Sequence, residues 1–122
     1  IDTTNWGCEI ELKIDDGVYT TNNMTLISNG TTALATPTEA FSATWQEDVD
    51  AVILNTDLKA YASRDGGTTW DLITLTEEAS LSTGRILIGT VTLTSSGTSM
   101  KYKIETLNTK EQKIHGVGLQ WS

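Results

Sequence analysis

Apolar and polar residues alternate along most of this chain, and a period of two is typical of β-strands with one buried face. The first stretch of this kind spans residues 8–14, with apolar side chains at Cys8, Ile10, Leu12 and Ile14. Asp15, Asp16 and Gly17 follow, and they predict a turn that sends the chain back at Val18. Further strands are predicted at 24–27, 58–63, 69–76, 85–94, 100–104 and 113–121.

The apolar positions in 85–94 change parity midway along the segment. Ile86 and Ile88 share one face of a strand, whereas Val91 and Leu93 share the other. A glycine inside a strand often marks a bulge, so we predict a bulge or bend near Gly89.

One short stretch carries a helix signal. Residues 36–39 read Thr-Pro-Thr-Glu, which has the form of a capping box with proline at the first helical position. Residues 40–45 are therefore predicted to form one or two helical turns.

The number and spacing of the strands predict an all-β fold. Seven to ten short strands in a chain of 122 residues are typical of one antiparallel β-sandwich, and a jelly-roll-like topology is expected. Threonine is the most abundant residue, and its branched side chain suits a half-exposed strand. No repeat of about 20 to 50 residues is present, which argues against a propeller. Residues 1–122 are therefore predicted to form a single domain.

The acidic residues are concentrated in the first half of the chain. Residues 1–57 contain ten acidic residues and one basic residue, whereas 58–122 contain six and seven, and the net charge is −8. This balance repels phosphate groups, so nucleic acid is not an expected partner. No apolar run is long enough to span a membrane and no signal peptide is visible, so membrane insertion is not expected. The chain opens at Ile1 rather than Met, so we expect a processed product or a fragment.

The residues available for catalysis form no recognisable constellation. His115 is the only histidine and Cys8 the only cysteine, so no intrachain disulfide is expected, and the two alone cannot make a zinc site. No G-x-S-x-G motif supplies a nucleophile for His115. We therefore expect no catalytic residue, with His115 packed in its strand and Cys8 a small buried residue.

Three groups of neighbouring carboxylates are candidates for a glycosidase or calcium site: Asp15 with Asp16, Glu47 with Asp48 and Asp50, and Glu77 with Glu78. Adjacent acids in turns do not place two carboxyl groups across a glycosidic bond. None of these groups has the spacing of a calcium-binding loop, although calcium accepts flexible oxygen ligands. We expect these carboxylates to be solvated turn residues and the protein to bind no cofactor. Calcium binding is the alternative.

The tryptophans are the candidates for contact with a ligand. Trp45 is close in sequence to Glu47 and Asp48, and an exposed indole beside acidic groups can stack on a sugar while they accept its hydroxyl hydrogens. We therefore predict a glycan or partner contact at Trp45, Glu47 and Asp48. The competing interpretation is that each of the four tryptophans fills the core or a subunit interface.

The octapeptide SRDGGTTW at 63–70 matches the Asp-box pattern S-x-D-x-G-x-T-W at Ser63, Asp65, Gly67, Thr69 and Trp70. The resemblance implies a hairpin over 58–76 in which Asp65 accepts backbone hydrogen bonds, Gly67 has a positive φ and Trp70 packs under the loop. In sialidases this motif lies away from the catalytic pocket, and their arginine cluster and Tyr–Glu pair have no counterpart here. We therefore expect a structural turn.

Three further segments carry distinctive motifs: 60–69 includes SRDGGTT, 96–104 reads SGTSMKYKI and 113–121 reads KIHGVGLQW. Together they resemble the C-terminal domain of bacteriophage virion proteins, especially tail-fibre and tail-appendage proteins. The resemblance covers roughly residue 52 to the end and implies a β-sandwich display module in an oligomeric virion part.

The function expected from this resemblance is a non-catalytic structural or adhesion domain in a tail fibre, a tail appendage or a capsid decoration. Its expected partners are further copies of the chain, other virion proteins and a host-surface glycan. A carbohydrate-binding module is the alternative, and a hydrolase is the weakest hypothesis.

Overall fold

Ten β-strands in two antiparallel sheets make up the described part of the chain, which is residues 9–20 and 23–122 of a computed structural model. Side chains are described from residue 23 onward, so the predictions for Trp6 and Cys8 lie outside the described residues. The strands are β1 (Glu9–Thr20), β2 (Met24–Ile27), β3 (Thr31–Thr32), β4 (Glu39–Asp48), β5 (Leu58–Ser63), β6 (Asp71–Ile73), β7 (Thr76–Ser80), β8 (Arg85–Thr92), β9 (Ser99–Thr106) and β10 (Gln112–Trp121). This part of the chain contains no helix, which confirms the all-β prediction.

The strand order is that of a jelly roll. The first sheet runs β1-β10-β4-β8-β7, and the second runs β2-β9-β5-β6 with the short β3 paired to β9. Hairpins join β5 to β6 and β7 to β8, whereas most other connections cross between the sheets. Strands far apart in sequence therefore become neighbours, as β1 and β10 do. The antiparallel, jelly-roll-like sandwich is thus confirmed.

The helix predicted at 40–45 is wrong, because these residues lie in the middle of β4. This strand pairs with β10 on one side and with β8 on the other. Ala40, Ser42, Thr44 and Gln46 alternate inward and are buried. Two ladders of hydrogen bonds outweigh a capping signal that concerns a single turn.

The chain reversal predicted at Asp15 to Gly17 is also wrong. Strand β1 continues through these residues and stays paired with β10. Lys13 lies opposite Gly116 and Val18 lies opposite Ile114, so the register shifts between them. The turn-forming residues make an irregularity within one long strand, because β10 offers a partner on both sides of it.

Strand β8 has no bulge at Gly89, since its pairing with β4 is continuous along its whole length. The predicted bulge is wrong for a simple reason. Leu87 and Leu93 point inward and are buried, with Gly89 at an inward position between them. Ile86 and Ile88 lie on the outer face, so they created an apparent change of parity.

Gly89 is needed because the chain after β6 passes directly over it. A methyl group at this position would lie 2.4 Å from the carbonyl oxygen of Thr74 and 2.5 Å from Cγ2 of Ile73. The irregularity in this hairpin lies in the partner strand instead, between Glu77 and Ala79 of β7.

The core lies between the two sheets. Its fully buried large apolar residues are Leu58, Ile73, Leu75, Leu87, Met100, Ile104, Ile114, Leu119 and Trp121. The predicted inward face of β10 is confirmed, since Val117, Leu119 and Trp121 are all buried. Trp121 is a core residue, whereas Trp45 is exposed and Trp70 is half-buried.

Candidate functional site

The Asp-box loop is held by hydrogen bonds among its own residues. Oδ1 of Asp65 accepts a bond of 2.8 Å from the backbone N–H of Thr69 and one of 2.7 Å from the hydroxyl of Ser63. The Ser63 oxygen in turn accepts a 2.9 Å bond from the backbone N–H of Gly67. The expected role of Asp65 as an acceptor of backbone hydrogen bonds is confirmed.

Two glycines and an indole complete the loop. Gly66 and Gly67 have φ values of 73° and 94°, in the left-handed region that glycine enters without strain. A methyl group at Gly67 would lie only 3.1 Å from Cζ2 of Trp70, so the indole packs against this backbone. The positive φ and the tryptophan packing are both as predicted.

The loop also stabilises the charge of its carboxylate. The pKa of Asp65 falls from 3.8 to about 2, first because of the Thr69 backbone N–H and then because of the Ser63 hydroxyl. The negative charge of Asp65 is therefore committed to closing the hairpin.

Strand β9 fixes the loop from the other side. The backbone N–H of Gly66 donates to the Ser99 carbonyl and that of Ser99 to the Arg64 carbonyl, each at 3.0 Å. Gly97 permits this approach, since a methyl group there would lie 2.6 Å from the Arg64 carbonyl oxygen. Residues 60–69 and 96–104, which carry the SRDGGTT and SGTSMKYKI motifs, therefore pack as one unit.

Trp45 lies on the outer face of the first sheet with 39% of its surface exposed. Its indole N–H donates a 2.9 Å hydrogen bond to the carbonyl oxygen of Thr83. The ring stacks on His115 with centroids 4.6 Å apart and an interplanar angle of 29°. Nε2 of His115 is 2.9 Å from Oε1 of Glu47. The structure thus brings Trp45 and Glu47 together through His115.

His115 reaches this position because it is the extra residue of a bulge in β10. Ile114 is paired with Gln46 and Gly116 with Trp45, so no residue of β4 is opposite His115. Its ring is packed and hydrogen-bonded, as predicted for a structural strand histidine.

Asp48 does not belong to the group of Trp45, His115 and Glu47, which we call the Trp45 surface. It accepts hydrogen bonds of 3.0 Å from Nη2 of Arg85 and 2.8 Å from Nε2 of Gln46. An open depression of about 300 Å³ lies here, lined by Glu47, Asp48, Glu77, Ser80, Gly84 and Arg85. The predicted contact residues therefore divide between the Trp45 surface and the rim of this depression.

A second aromatic surface, which the sequence patterns did not indicate, lies on the outer face of the second sheet. Nζ of Lys103 is 4.4 Å from the ring centroid of Tyr61 and 4.7 Å from that of Trp70. Tyr61 and Lys103 are directly opposite each other on β5 and β9. Strand periodicity could place each side chain outward, but only the pairing register brings them together.

Among the residues whose side chains are described, no three or more His, Cys, Asp and Glu side chains are grouped to hold a metal ion. Over the described segments of the chain, no helix is long and apolar enough to cross a membrane.

The fold and the loop define this chain as a jelly-roll β-sandwich protein with one Asp-box hairpin. No family model matches the sequence, and no curated protein is significantly similar to it. The function is therefore inferred from the geometry of the described residues.

Proposed function

We propose that this chain is a non-catalytic structural or adhesion domain of a bacteriophage virion, in a tail fibre, a tail appendage or a capsid decoration. The observation that carries the proposal is that the groups most suggestive of chemistry serve the fold. Asp65 closes its own hairpin. His115 is stacked on Trp45 and hydrogen-bonded to Glu47. A catalytic acid or base has to reach a proton on a substrate instead.

The resemblance to tail-fibre and tail-appendage proteins supplies the virion part of the proposal. The first two similar segments pair as β5 and β9 in the second sheet, and the third forms most of β10 in the first sheet. The resemblance therefore involves both layers of the sandwich. Jelly rolls also occur in viral capsid and lectin domains, which suits a display role.

Assembly in a virion requires a contact between copies or with another virion protein. Edge strand β7 is exposed along its length, but Glu77, Glu78 and the nearby register shift disfavour edge-to-edge pairing. The Trp45 surface is an exposed aromatic region of the same sheet, so we propose it as the assembly contact, with cyclic symmetry.

Native mass spectrometry of the purified chain tests this contact. We expect an oligomer of one size, which Trp45→Ala converts to a monomer without changing the circular dichroism spectrum. Leu34→Ala is the control, because Leu34 is 95% exposed in the loop before β4, and this variant should keep the same number of chains in the oligomer. A wild-type chain that is strictly monomeric would remove the self-association part of the proposal.

Immunogold electron microscopy tests the location. An antibody against the chain should label the tail or the capsid surface of phage particles released from the host that carries the gene. A monomeric chain together with unlabelled particles would overturn the proposed function.

A carbohydrate-binding module is the second candidate, favoured by the exposed indole of Trp45 beside the Glu47 carboxylate. Trp45→Ala should then abolish binding to a multivalent glycan array while the domain stays folded. An array without any signal for the wild-type chain would exclude this candidate.

A further inference from the structure

A row of four outward side chains crosses the second sheet. Ile27 lies opposite Lys103, Lys103 opposite Tyr61, and Tyr61 opposite Leu72. Ile27 is 54% exposed and Leu72 is 47% exposed, so the two ends of the row are open to solvent. Trp70 stands beside the row, at the end of the Asp-box loop.

Lys103 holds its charge over the faces of two aromatic rings. Its Nζ is 4.4 Å from the centroid of Tyr61 and 4.7 Å from that of Trp70, which is cation–π geometry for both. Within residues 23–122, no carboxylate oxygen lies within 4.0 Å of the ammonium groups of Lys101 or Lys103. Their positive charges are therefore not neutralised by described acidic groups.

Lys101 extends this surface toward the Asp-box loop. Its Cδ would lie 3.7 Å from a methyl group at Gly67, and its Cε 3.5 Å from one at Gly30. The aliphatic stem is thus supported between two loops beside Trp70. We call Tyr61, Trp70, Lys101 and Lys103 the lysine–aromatic platform.

The single carboxylate at an outward position of β9 is that of Glu105, which lies near the platform's tyrosine. Burial, and then the neighbouring Glu105 carboxylate, raise the pKa of Tyr61 to about 12, so its hydroxyl remains protonated at neutral pH. Glu105 makes no ion pair within 4.0 Å of Lys101 or Lys103, so the lysines keep their charge for an external anion.

We propose that the lysine–aromatic platform binds a carboxylate-bearing sugar residue of a host-surface glycan, an inference that rests on the proposed adhesion role. The carboxylate would be held by Lys101 and Lys103, and the sugar ring would pack against Trp70 and Tyr61, which are both half-buried and have the Lys103 ammonium over one face. This ligand differs from one that would bind at Trp45, because the group beside Trp45 is the Glu47 carboxylate and not a lysine.

The distribution of charge on the protein favours an acidic sugar over a nucleic acid as the ligand of the platform. The outward positions of β5 and β9 carry Lys59, Lys101 and Lys103 with Glu105, while the whole chain carries −8. A nucleic acid needs many neutralised phosphates, about 6–10 in a typical complex, and it would be repelled by the remaining acidic surface. A ligand with one or a few carboxylates suits this small local excess of positive charge.

Titration of the ¹⁵N-labelled domain, followed by NMR, tests the platform. The probes are a hyaluronan hexasaccharide and 3′-sialyllactose, with neutral chitohexaose and lactose as their matched controls. We expect the acidic probes to shift the amide signals of residues 59–61, 70–72 and 101–105, and the neutral ones to bind about tenfold more weakly or worse.

Variants then assign the binding to the lysines. Lys103→Met keeps the aliphatic stem and should weaken binding about tenfold, whereas Lys103→Arg should retain most of it. Lys113→Met on the opposite sheet removes the same charge and should have little effect. Three results would contradict the proposed binding of an acidic sugar. They are equal binding of acidic and neutral probes, equal losses in the two methionine variants, and tighter binding of oligo-dT.

The outcomes also separate this inference from the proposed function. If the antibody labels phage particles but the NMR titration shows no response to acidic glycans, the platform is refuted and the virion role is retained. Binding of acidic glycans by a chain absent from particles would leave the platform standing and refute the virion role.

Discussion

Asp65 and Thr69 are joined across the tip of the β5–β6 hairpin by a 2.8 Å hydrogen bond from the backbone N–H to the carboxylate. The same oxygen accepts the hydroxyl hydrogen of Ser63 at 2.7 Å. One carboxylate therefore closes the loop from both of its ends, and Trp70 and strand β9 pack against the closed form.

Removing this carboxylate should destabilise the domain. In Asp65→Ala both donors lose their acceptor, so we expect the Tm to fall by roughly 3–8 °C. Asp65→Asn keeps one acceptor oxygen for the Thr69 N–H and should lose less. Thermal unfolding followed by circular dichroism measures both changes, and an unchanged Tm in Asp65→Ala would contradict the role of Asp65 as a turn anchor.

The contribution of Asp65 should depend on pH in a defined direction. Its pKa is lowered from 3.8 to about 2 by the Thr69 and Ser63 hydrogen bonds, so the folded state binds this proton less tightly than the unfolded state. The stabilisation is complete above the unfolded pKa and is lost as the pH falls through about 2.

The measurement for this pH dependence is the Tm of the wild-type chain and of Asp65→Asn between about pH 6 and pH 2. The difference between the two should stay constant down to about pH 4 and then shrink, because only the wild type has a carboxylate to protonate at this position. A difference that is constant over the whole range would show that the charge of Asp65 does not stabilise the fold.

Gly89 should be one of the least replaceable residues in β8. A methyl group there would lie 2.4 Å from the Thr74 carbonyl oxygen, so Gly89→Ala forces two segments apart and should cost about 1–3 kcal/mol of unfolding free energy. Gly30→Ala is the matched control. Its methyl group would meet only side-chain atoms of Ser99 and Lys101, at 3.4 and 3.5 Å.

Urea unfolding of the two glycine variants decides this prediction. We expect the midpoint to fall in Gly89→Ala and to change little in Gly30→Ala, with similar m-values. Equal stability of the two variants would mean that the Thr74 segment moves away from β8 at no cost.

The features that the sequence predicted well are local ones. The alternation of Met100, Tyr102 and Ile104 indicated β9 because each residue in a strand faces opposite to the next. The Asp-box hairpin was predictable for a similar reason, since Asp65 and Thr69 are four residues apart and need no distant partner.

The features that were missed depend on which strands pair. Residues 40–45 look helical until β10 and β8 flank them. Had β4 been predicted as a strand, its alternation would have separated Glu47 from Asp48, which contact His115 and Arg85 respectively. The contact between Tyr61 and Lys103 joins residues 42 positions apart and follows only from the register of β5 with β9.

A buried polar chain at one end of the sandwich gives the last prediction. Nε2 of the fully buried Gln46 donates to Oε1 of Gln112 at 3.0 Å, and Oε1 of Gln46 accepts from Nε of Arg85 at 2.9 Å. Nε2 of Gln112 donates to the Asp57 carbonyl at 3.1 Å. Gln46→Leu leaves buried polar atoms without these partners, so it should cost about 1–3 kcal/mol.

A double-mutant cycle with Gln112→Leu tests whether the two glutamines act as a pair. Replacing both by leucine removes donor and acceptor together, so the double variant should lose less than the sum of the single losses, by about 0.5–3 kcal/mol. Urea unfolding of the four proteins gives this coupling energy. Strictly additive losses would mean that the 3.0 Å bond between Gln46 and Gln112 contributes nothing to stability.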